Sequence, residues 1–165
     1  MEQAIEIKLR PLSVNDTDFM VALASNHDVG KYLPTMITDR QMMQDWIRGL
    51  EPPEHEYIVL LDDTKIGECS LAVSTDHSAE IGFILFPEYW GRGCGTAVVR
   101  ELLEKARQMS IGELTAKTDV NNAAAIQLLT KFDFQKQYIG WILALADAGN
   151  ELSRSQTIIQ FKRTM

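Results

Sequence analysis

The stretch Ile81-Gly82-Phe83-Ile84-Leu85-Phe86-Pro87-Glu88-Tyr89-Trp90-Gly91-Arg92-Gly93-Cys94-Gly95-Thr96-Ala97 carries the clearest chemical pattern in the chain. An apolar run ends at a proline, three alternating glycines follow, and an amphipathic run begins. Glycines so placed let the backbone turn tightly and aim successive N–H groups at one point. The dipole of the following helix then makes that point an anion site suited to a pyrophosphate. The plainer alternative is a strand-to-helix turn that uses glycine for positive φ. The pattern is not a phosphate loop of the Walker type, because no Lys-Ser or Lys-Thr follows, and Val98 replaces the third glycine of a dinucleotide fingerprint. Other chemistries have weaker claims. His27, His55 and His77 are isolated, Cys69 and Cys94 match no zinc spacing, and no Gly-x-Ser-x-Gly elbow occurs, so no metal site is expected. Cys94 sits at a helix start, where a thiol gains reactivity, but reads better as loop filler.

The elements around this stretch follow from periodicity. Ile5 to Arg10 alternates and ends at Pro11, as a half-buried strand does. Asn15 or Asp16 can cap a helix bearing Phe19, Met20 and Leu23. A second helix follows Thr38-Asp39, with Met42, Met43, Trp46 and Leu50 at helical spacing, and Pro52-Pro53 stops it. The Met/Trp stripe reads as helix core. Strands are expected at 56–61, 65–73 and 80–86, joined by polar turns at 62–64 and 74–78 into an antiparallel meander. A helix is expected from about Thr96 to Met109, with Val98, Val99, Leu102, Leu103 and Ala106 on one face, and then a strand over 114–120. Strand, helix and strand in this order form a βαβ unit with parallel strands. A helix over 123–132 follows Asn121-Asn122, and strands near 134–143 and 157–162 flank a looser segment at 147–155. The expected fold is α+β: one domain over residues 1–165, with a mixed, mostly antiparallel sheet and helices on both faces.

Composition narrows the function classes. The 165 residues carry 16 Lys+Arg against 23 Asp+Glu, a net charge of −7. Nucleic-acid and anionic-membrane surfaces need clustered cations, so neither partner is expected. Two cysteines are too few for a disulfide framework, and Met1-Glu2-Gln3-Ala4-Ile5-Glu6 lacks the basic-then-apolar order of a signal peptide. Ile81 to Phe86 and Ile139 to Ala146 are far shorter than the ~20 residues of a membrane span. A cytoplasmic protein is expected.

Tyr89-Trp90-Gly91-Arg92-Gly93-Cys94-Gly95-Thr96 resembles the acetyl-CoA pyrophosphate loop of the GNAT N-acetyltransferase superfamily, usually Gln/Arg-x-x-Gly-x-Gly/Ala. Trp90 in place of the leading Gln or Arg resembles the ribosomal-protein N-terminal acetyltransferase branch. Asn122-Ala123-Ala124-Ala125-Ile126-Gln127-Leu128-Leu129-Thr130-Lys131-Phe132-Asp133-Phe134 is similar to the family's Asn-x-x-Ser/Ala…Lys-x-Gly-Phe helix, with Asp133 at the Gly position.

The resemblance implies acetyl transfer from acetyl-CoA to a primary amine, either a protein N-terminus or a small amine. It implies that the backbone of Arg92, Gly93, Cys94, Gly95 and Thr96 holds the pyrophosphate. Phe83 and Leu85 would pair with the pantetheine, Asn122 would bond to it while capping its helix, and Arg92 and Lys131 would reach phosphates. Acetyl transfer needs the free amine, hence a base. Glu80, where some members carry a catalytic glutamate, is the first candidate and Glu68 the second; each can equally be a strand carboxylate without that role. Leu129 stands where the family often has its tyrosine acid, which keeps open a non-catalytic acyl-CoA-binding or regulatory module.

Overall fold

The structure is a computed structural model, and it describes residues 5–33, 36–50, 54–74, 77–143 and 155–165. The elements in chain order are β1 (Lys8–Pro11), α1 (Thr17–Ala24), α2 (His27–Gly30), α3 (Arg40–Gly49), β2 (Glu54–Leu61), β3 (Thr64–Val73) and β4 (Ser78–Leu85). These are followed by α4 (Cys94–Gln108), β5 (Glu113–Asp119), α5 (Ala123–Lys131), β6 (Gln135–Leu143) and β7 (Ser155–Thr164). The seven strands form one sheet in the order β1-β2-β3-β4-β5-β7-β6. Only β4 and β5 run parallel among these neighbours. They bracket α4, as the βαβ reading requires.

Strand alternation divides the sheet's side chains between two cores. Cys69, Leu71, Ile81 and Ala116 pack with Val98, Val99, Leu102 and Leu129 against α4 and α5. Ile58 packs on the opposite face with Met20 and Ala24 of α1 and Met43 and Ile47 of α3. The mixed sheet with helices on both faces is therefore the fold read from the sequence. Within the Met/Trp stripe, Met43 is buried and Trp46 packs against the same core, whereas Met42 points outward.

Several boundaries differ, each for a local reason. The first strand starts at Lys8 rather than Ile5 and takes in Pro11, which is tolerated because β1 is an edge strand. Asp16 precedes α1 but makes no capping bond through its side chain. Its carboxylate is held instead by Arg10 Nη2 and Lys65 Nζ, each at 2.7 Å, and accepts from the Ser13 amide at 3.0 Å. Asp39 does cap α3, accepting from the Met42 amide at 2.8 Å. The four-residue α2 is too short to leave a periodic signal, and its cap, Asn26, accepts from the Asp28 and Val29 amides. α4 begins at Cys94, two residues before the expected start, because Gly93 is in the left-handed region (φ 86°) and ends the loop there. The Pro52-Pro53 stop, Thr75-Asp76 of the turn, and residues 147–154 of the looser segment lie outside the described residues.

Candidate active site

β4 and β5 pair over only four positions, from Ser78↔Glu113 to Ile81↔Ala116, and then separate. Backbone direction shows what the separation exposes. The Phe86 amide donates to Ile66 O on β3 at 2.9 Å. Alternation then turns Ile84 and Gly82 towards β3 as well, and Ile81, Phe83 and Leu85 towards β5. Beyond Ile81 that side is the fork, so the Phe83 N–H and C=O face open space. The Leu85 carbonyl is already taken by Trp90 Nε1–H at 2.8 Å, so the Leu85 amide is what it keeps for a ligand.

The fork opens into a cleft of about 920 Å³. Its walls are residues 81–85 of β4, loop residues 89–91, 93, 95 and 96, then Ala116, Lys117 and Thr118 of β5, the inner face of α5, and Val29, Tyr32 and Leu33 at α2. Gly91 (φ 66°) and Gly93 (φ 86°) both need the left-handed conformation that side chains disfavour. The first helical bond within this turn runs from the Ala97 amide to Gly93 O at 3.1 Å, leaving the Cys94, Gly95 and Thr96 amides at the mouth of the 15-residue α4 without intrahelical acceptors. A Cβ on Gly95 would lie 3.1 Å from Leu128 Cδ2 and 3.6 Å from Phe83 Cε2, so the backbone sits close to both walls. Aligned donors at a helix start above a long cleft fit a nucleotide pyrophosphate with an extended arm.

The other candidates fall in different places. The Arg92 guanidinium folds back onto Glu88 O at 3.3 Å and over the Tyr89 ring, away from the cleft lining. The Cys94 side chain is fully buried, and burial raises its thiol pKa against the opposing effect of Arg92, so the reactivity conceivable at a helix start is absent. Asn122 lines the cleft and caps α5, its Oδ1 accepting from the Ala125 amide at 3.2 Å. The carboxamide nitrogen remains for a ligand. Lys131 lines the cleft from the last turn of α5, and Leu129, packed into the core, reaches the same lining with an apolar side chain.

Glu80 and Glu68 are not brought together. Glu68 pairs with Ile84 on β4, four residues from Glu80, which is roughly 13 Å along a strand. Glu80 Oε2 lies 2.7 Å from Lys117 Nζ, beside the last β4–β5 pairs. Glu68 is 7% exposed and hydrogen-bonded to Glu56, and burial first, then Glu56, pushes its carboxyl well above the usual range. The pair therefore favours keeping one proton between its carboxyls. Lys117 and Glu56 were missed in the sequence because only the strand pairing brings them diagonally beside the candidate carboxylates, two residues along from the direct partners Thr115 and Ile58. Among the described residues, no group of three His, Cys, Asp or Glu is arranged to hold a metal, and no helix is long and apolar enough to cross a membrane.

A sequence profile of the acetyltransferase (GNAT) domain matches residues 6–135. The chain belongs to the GNAT acetyltransferase family. It is 27% identical over 142 residues to an uncharacterised N-acetyltransferase of Bacillus licheniformis, covering 79% of this chain and 80% of that one. The fold is shared with a ribosomal-protein-alanine N-acetyltransferase from Brucella melitensis (TM-score 0.74, 19% identity, 96% and 99% coverage). It is shared equally with a GNAT-family acetyltransferase from Bacillus anthracis (TM-score 0.77, 17% identity, 98% and 96% coverage). A spermidine N-acetyltransferase variant from Vibrio cholerae has the same fold (TM-score 0.76, 19% identity, 96% and 94% coverage). Membership supports acetyl transfer as the activity.

Proposed function

We propose that the protein transfers an acetyl group from acetyl-CoA to a primary amine, either a protein N-terminus or a small amine. The observation that carries this reading is the β4–β5 fork opening onto the helix start at Gly93, which offers amide donors and a free strand backbone in one continuous cleft. The Cys94, Gly95 and Thr96 amides would hold the pyrophosphate, with Arg92 and Gly93 shaping the turn before them. Phe83 would pair with the pantetheine through both backbone groups and Leu85 through its amide. Asn122 would donate its carboxamide nitrogen to the arm, and Lys131 would reach a phosphate. Bound acetyl-CoA supplies an activated thioester.

Glu80, at the narrow end of the fork, would take the proton that the acceptor nitrogen must lose. Glu68 would act as base only through its shared proton with Glu56, from deeper in the sheet. The net charge of −7 favours a cationic acceptor, and the cysteine usage favours a cytoplasmic protein. A non-catalytic acyl-CoA-binding module is the second reading, favoured by the apolar, buried Leu129.

Thermal shift with CoA and acetyl-CoA, compared with ATP and NAD, tests the cofactor; acetyl-CoA consumption across a panel of peptide N-termini, polyamines, amino acids and aminoglycosides tests the transfer. Stabilisation by CoA and acetyl-CoA but not by ATP or NAD, with turnover of at least one amine, is expected. Stabilisation without turnover of any amine would favour the binding module, and no stabilisation by CoA would overturn both readings.

A further inference from the structure

Acyl transfer asks for two proton events: one at the nitrogen that attacks and one at the sulfur that leaves. Glu80 answers the first. The cleft also contains a cation placed for the second. Lys117 is the residue of β5 immediately after the last β4–β5 pair, it lines the cleft, and its Nζ is 2.7 Å from Glu80 Oε2. The arm of an acyl donor anchored at the α4 start and paired along Phe83 runs towards Ile81 and Ala116, so its sulfur arrives at the narrow end of the fork, beside Lys117.

We propose that Lys117 is the catalytic acid, protonating and charge-neutralising the leaving thiolate, and that it forms with Glu80 a self-resetting acid–base pair. This rests on the acetyl-CoA reading above. As the new nitrogen–carbon bond replaces the carbon–sulfur bond, the sulfur keeps the electron pair of the broken bond, and Lys117 Nζ gives it a proton. Glu80, which has taken a proton from the acceptor nitrogen, returns one to Lys117 across the 2.7 Å contact. An acceptor that enters as an ammonium sheds its other proton to solvent before attack. No external acid is needed, and the pair ends as it began.

The surroundings let Lys117 act alone in this way. Its register partner on β7 is the uncharged Gln160. The next charged pair on the same face, Glu113 with Lys162 at 2.6 Å, is closed on itself one row away. Asp119, two residues on, accepts from the Asn121 amide at 2.7 Å and is buried. From α5, Lys131 is the charged side chain in the cleft lining. Tyr32 and Tyr89 are the phenols of the cleft lining, more acidic than the alcohols of Thr96 and Thr118; Tyr89 belongs to the loop at the wide mouth, and Tyr32 follows α2.

The test is a thiol titration that needs no acceptor. CoA is bound to the wild type and to Lys117→Met, Lys117→Arg and Tyr32→Phe, and its thiolate is followed by ultraviolet absorbance against the ligand-free protein. Cys69 and Cys94 are buried with raised thiol pKa values, so they drop out of the difference. A neighbouring cation should bring the midpoint of the bound thiol down by about one unit from its ordinary ~8.5. The shift should persist in Lys117→Arg and vanish in Lys117→Met, with CoA affinity changed less than about threefold, since the phosphate contacts lie elsewhere. A wild-type midpoint at the ordinary value, or an equal shift in Lys117→Met, would overturn the proposal. So would a shift abolished by Tyr32→Phe and kept by Lys117→Met, which would assign the acid to Tyr32. Failure of CoA to bind any of these proteins would overturn the acetyl-CoA reading instead.

Discussion

Substitution at Gly95 tests whether the loop and the fork form one donor site. The perturbation is graded. A Cβ at this position would stand 3.1 Å from Leu128 Cδ2, the movable end of a side chain, and 3.6 Å from Phe83 Cε2. Gly95→Ala therefore folds after a shift of a few tenths of an ångström, while its helical backbone gains from losing glycine's entropy. Gly95→Val adds two methyl groups beyond that Cβ. They have to enter the space between α5 and β4, where the donor's arm would lie against Phe83. Overpacking of this kind costs about 1–3 kcal/mol of stability, so the variant is still expected to fold. The ligand effect is separable from that cost. With CoA at one hundred times its dissociation constant, binding adds about 2.7 kcal/mol to the wild type. For a chain of this length that raises Tm by about 5–11 °C. A hundredfold loss of affinity in Gly95→Val leaves about 0.4 kcal/mol of ligand stabilisation at the same CoA concentration, a rise of less than 2 °C. Melting curves of each variant with and without CoA give the comparison directly, each against its own ligand-free Tm. Gly95→Ala should fall between the two. A folded Gly95→Val protein with the full wild-type rise would refute the placement of the pyrophosphate and arm at this turn.

Asn122→Ser keeps a helix cap but loses the carboxamide nitrogen, so the ligand-free Tm should change by no more than about 2 °C while CoA affinity falls about tenfold in calorimetry; equal affinity would leave Asn122 as a cap alone. Glu80→Gln should lower kcat about a hundredfold near neutral pH at unchanged CoA affinity, and the loss should shrink at high pH, where the amine arrives deprotonated; wild-type turnover across that range would remove Glu80 as the base. Asp16→Asn, which strands Arg10 and Lys65 at the buried end of their ion pairs, should cost about 2 kcal/mol at pH 7 in urea unfolding. The Asp16 carboxyl is held well below the usual range by hydrogen bonds from Arg10, Lys65 and the Ser13 amide, which outweigh the opposing effect of burial. A depressed value in the folded state stabilises the fold above the unfolded value of about 3.9, and the stabilisation is lost as pH falls through that region and below. The gap between wild type and Asp16→Asn should therefore narrow below about pH 4, and a gap independent of pH would refute the ion-pair account.

What the sequence made legible, and what it hid, divides along the range of the physics. Local signals act within a few residues, and they located the meander, the βαβ unit, the glycine turn and the α5 cap at Asn122. They failed where tertiary partners decide. Asp16 has the right identity for a cap, but Arg10, six residues earlier on β1, and Lys65, far off in sequence on β3, claim its carboxylate. Glu80 and Glu68 looked alike as strand carboxylates. Register gives one a lysine at 2.7 Å beside the fork and gives the other a second carboxyl in the interior. Trp90 stood out only as a departure from a motif, and its hydrogen bond to Leu85 O shows the indole taking up one backbone group at the end of β4.

On the proposed reading, the fork also sets the one point at which donor and acceptor would meet. Over Ser78–Ile81, β4 is flanked by β3 on one side and β5 on the other, and the hydrogen-bonded backbone there separates the two faces of the sheet. The α4 start, where the anion donors gather, belongs to the face that carries Ile81 and Ala116. Glu80 and Lys117, one residue out of step with those two, point to the opposite face. A thioester held from the first face can be reached by an amine on the second only where the backbone between β4 and β5 parts, just beyond Ile81 and Ala116. The Glu80–Lys117 pair stands at that opening. Closing it, by extending the β4–β5 ladder one pair further, should abolish transfer even with every loop and side-chain contact intact, because the two reactants would then lie on opposite sides of a continuous sheet.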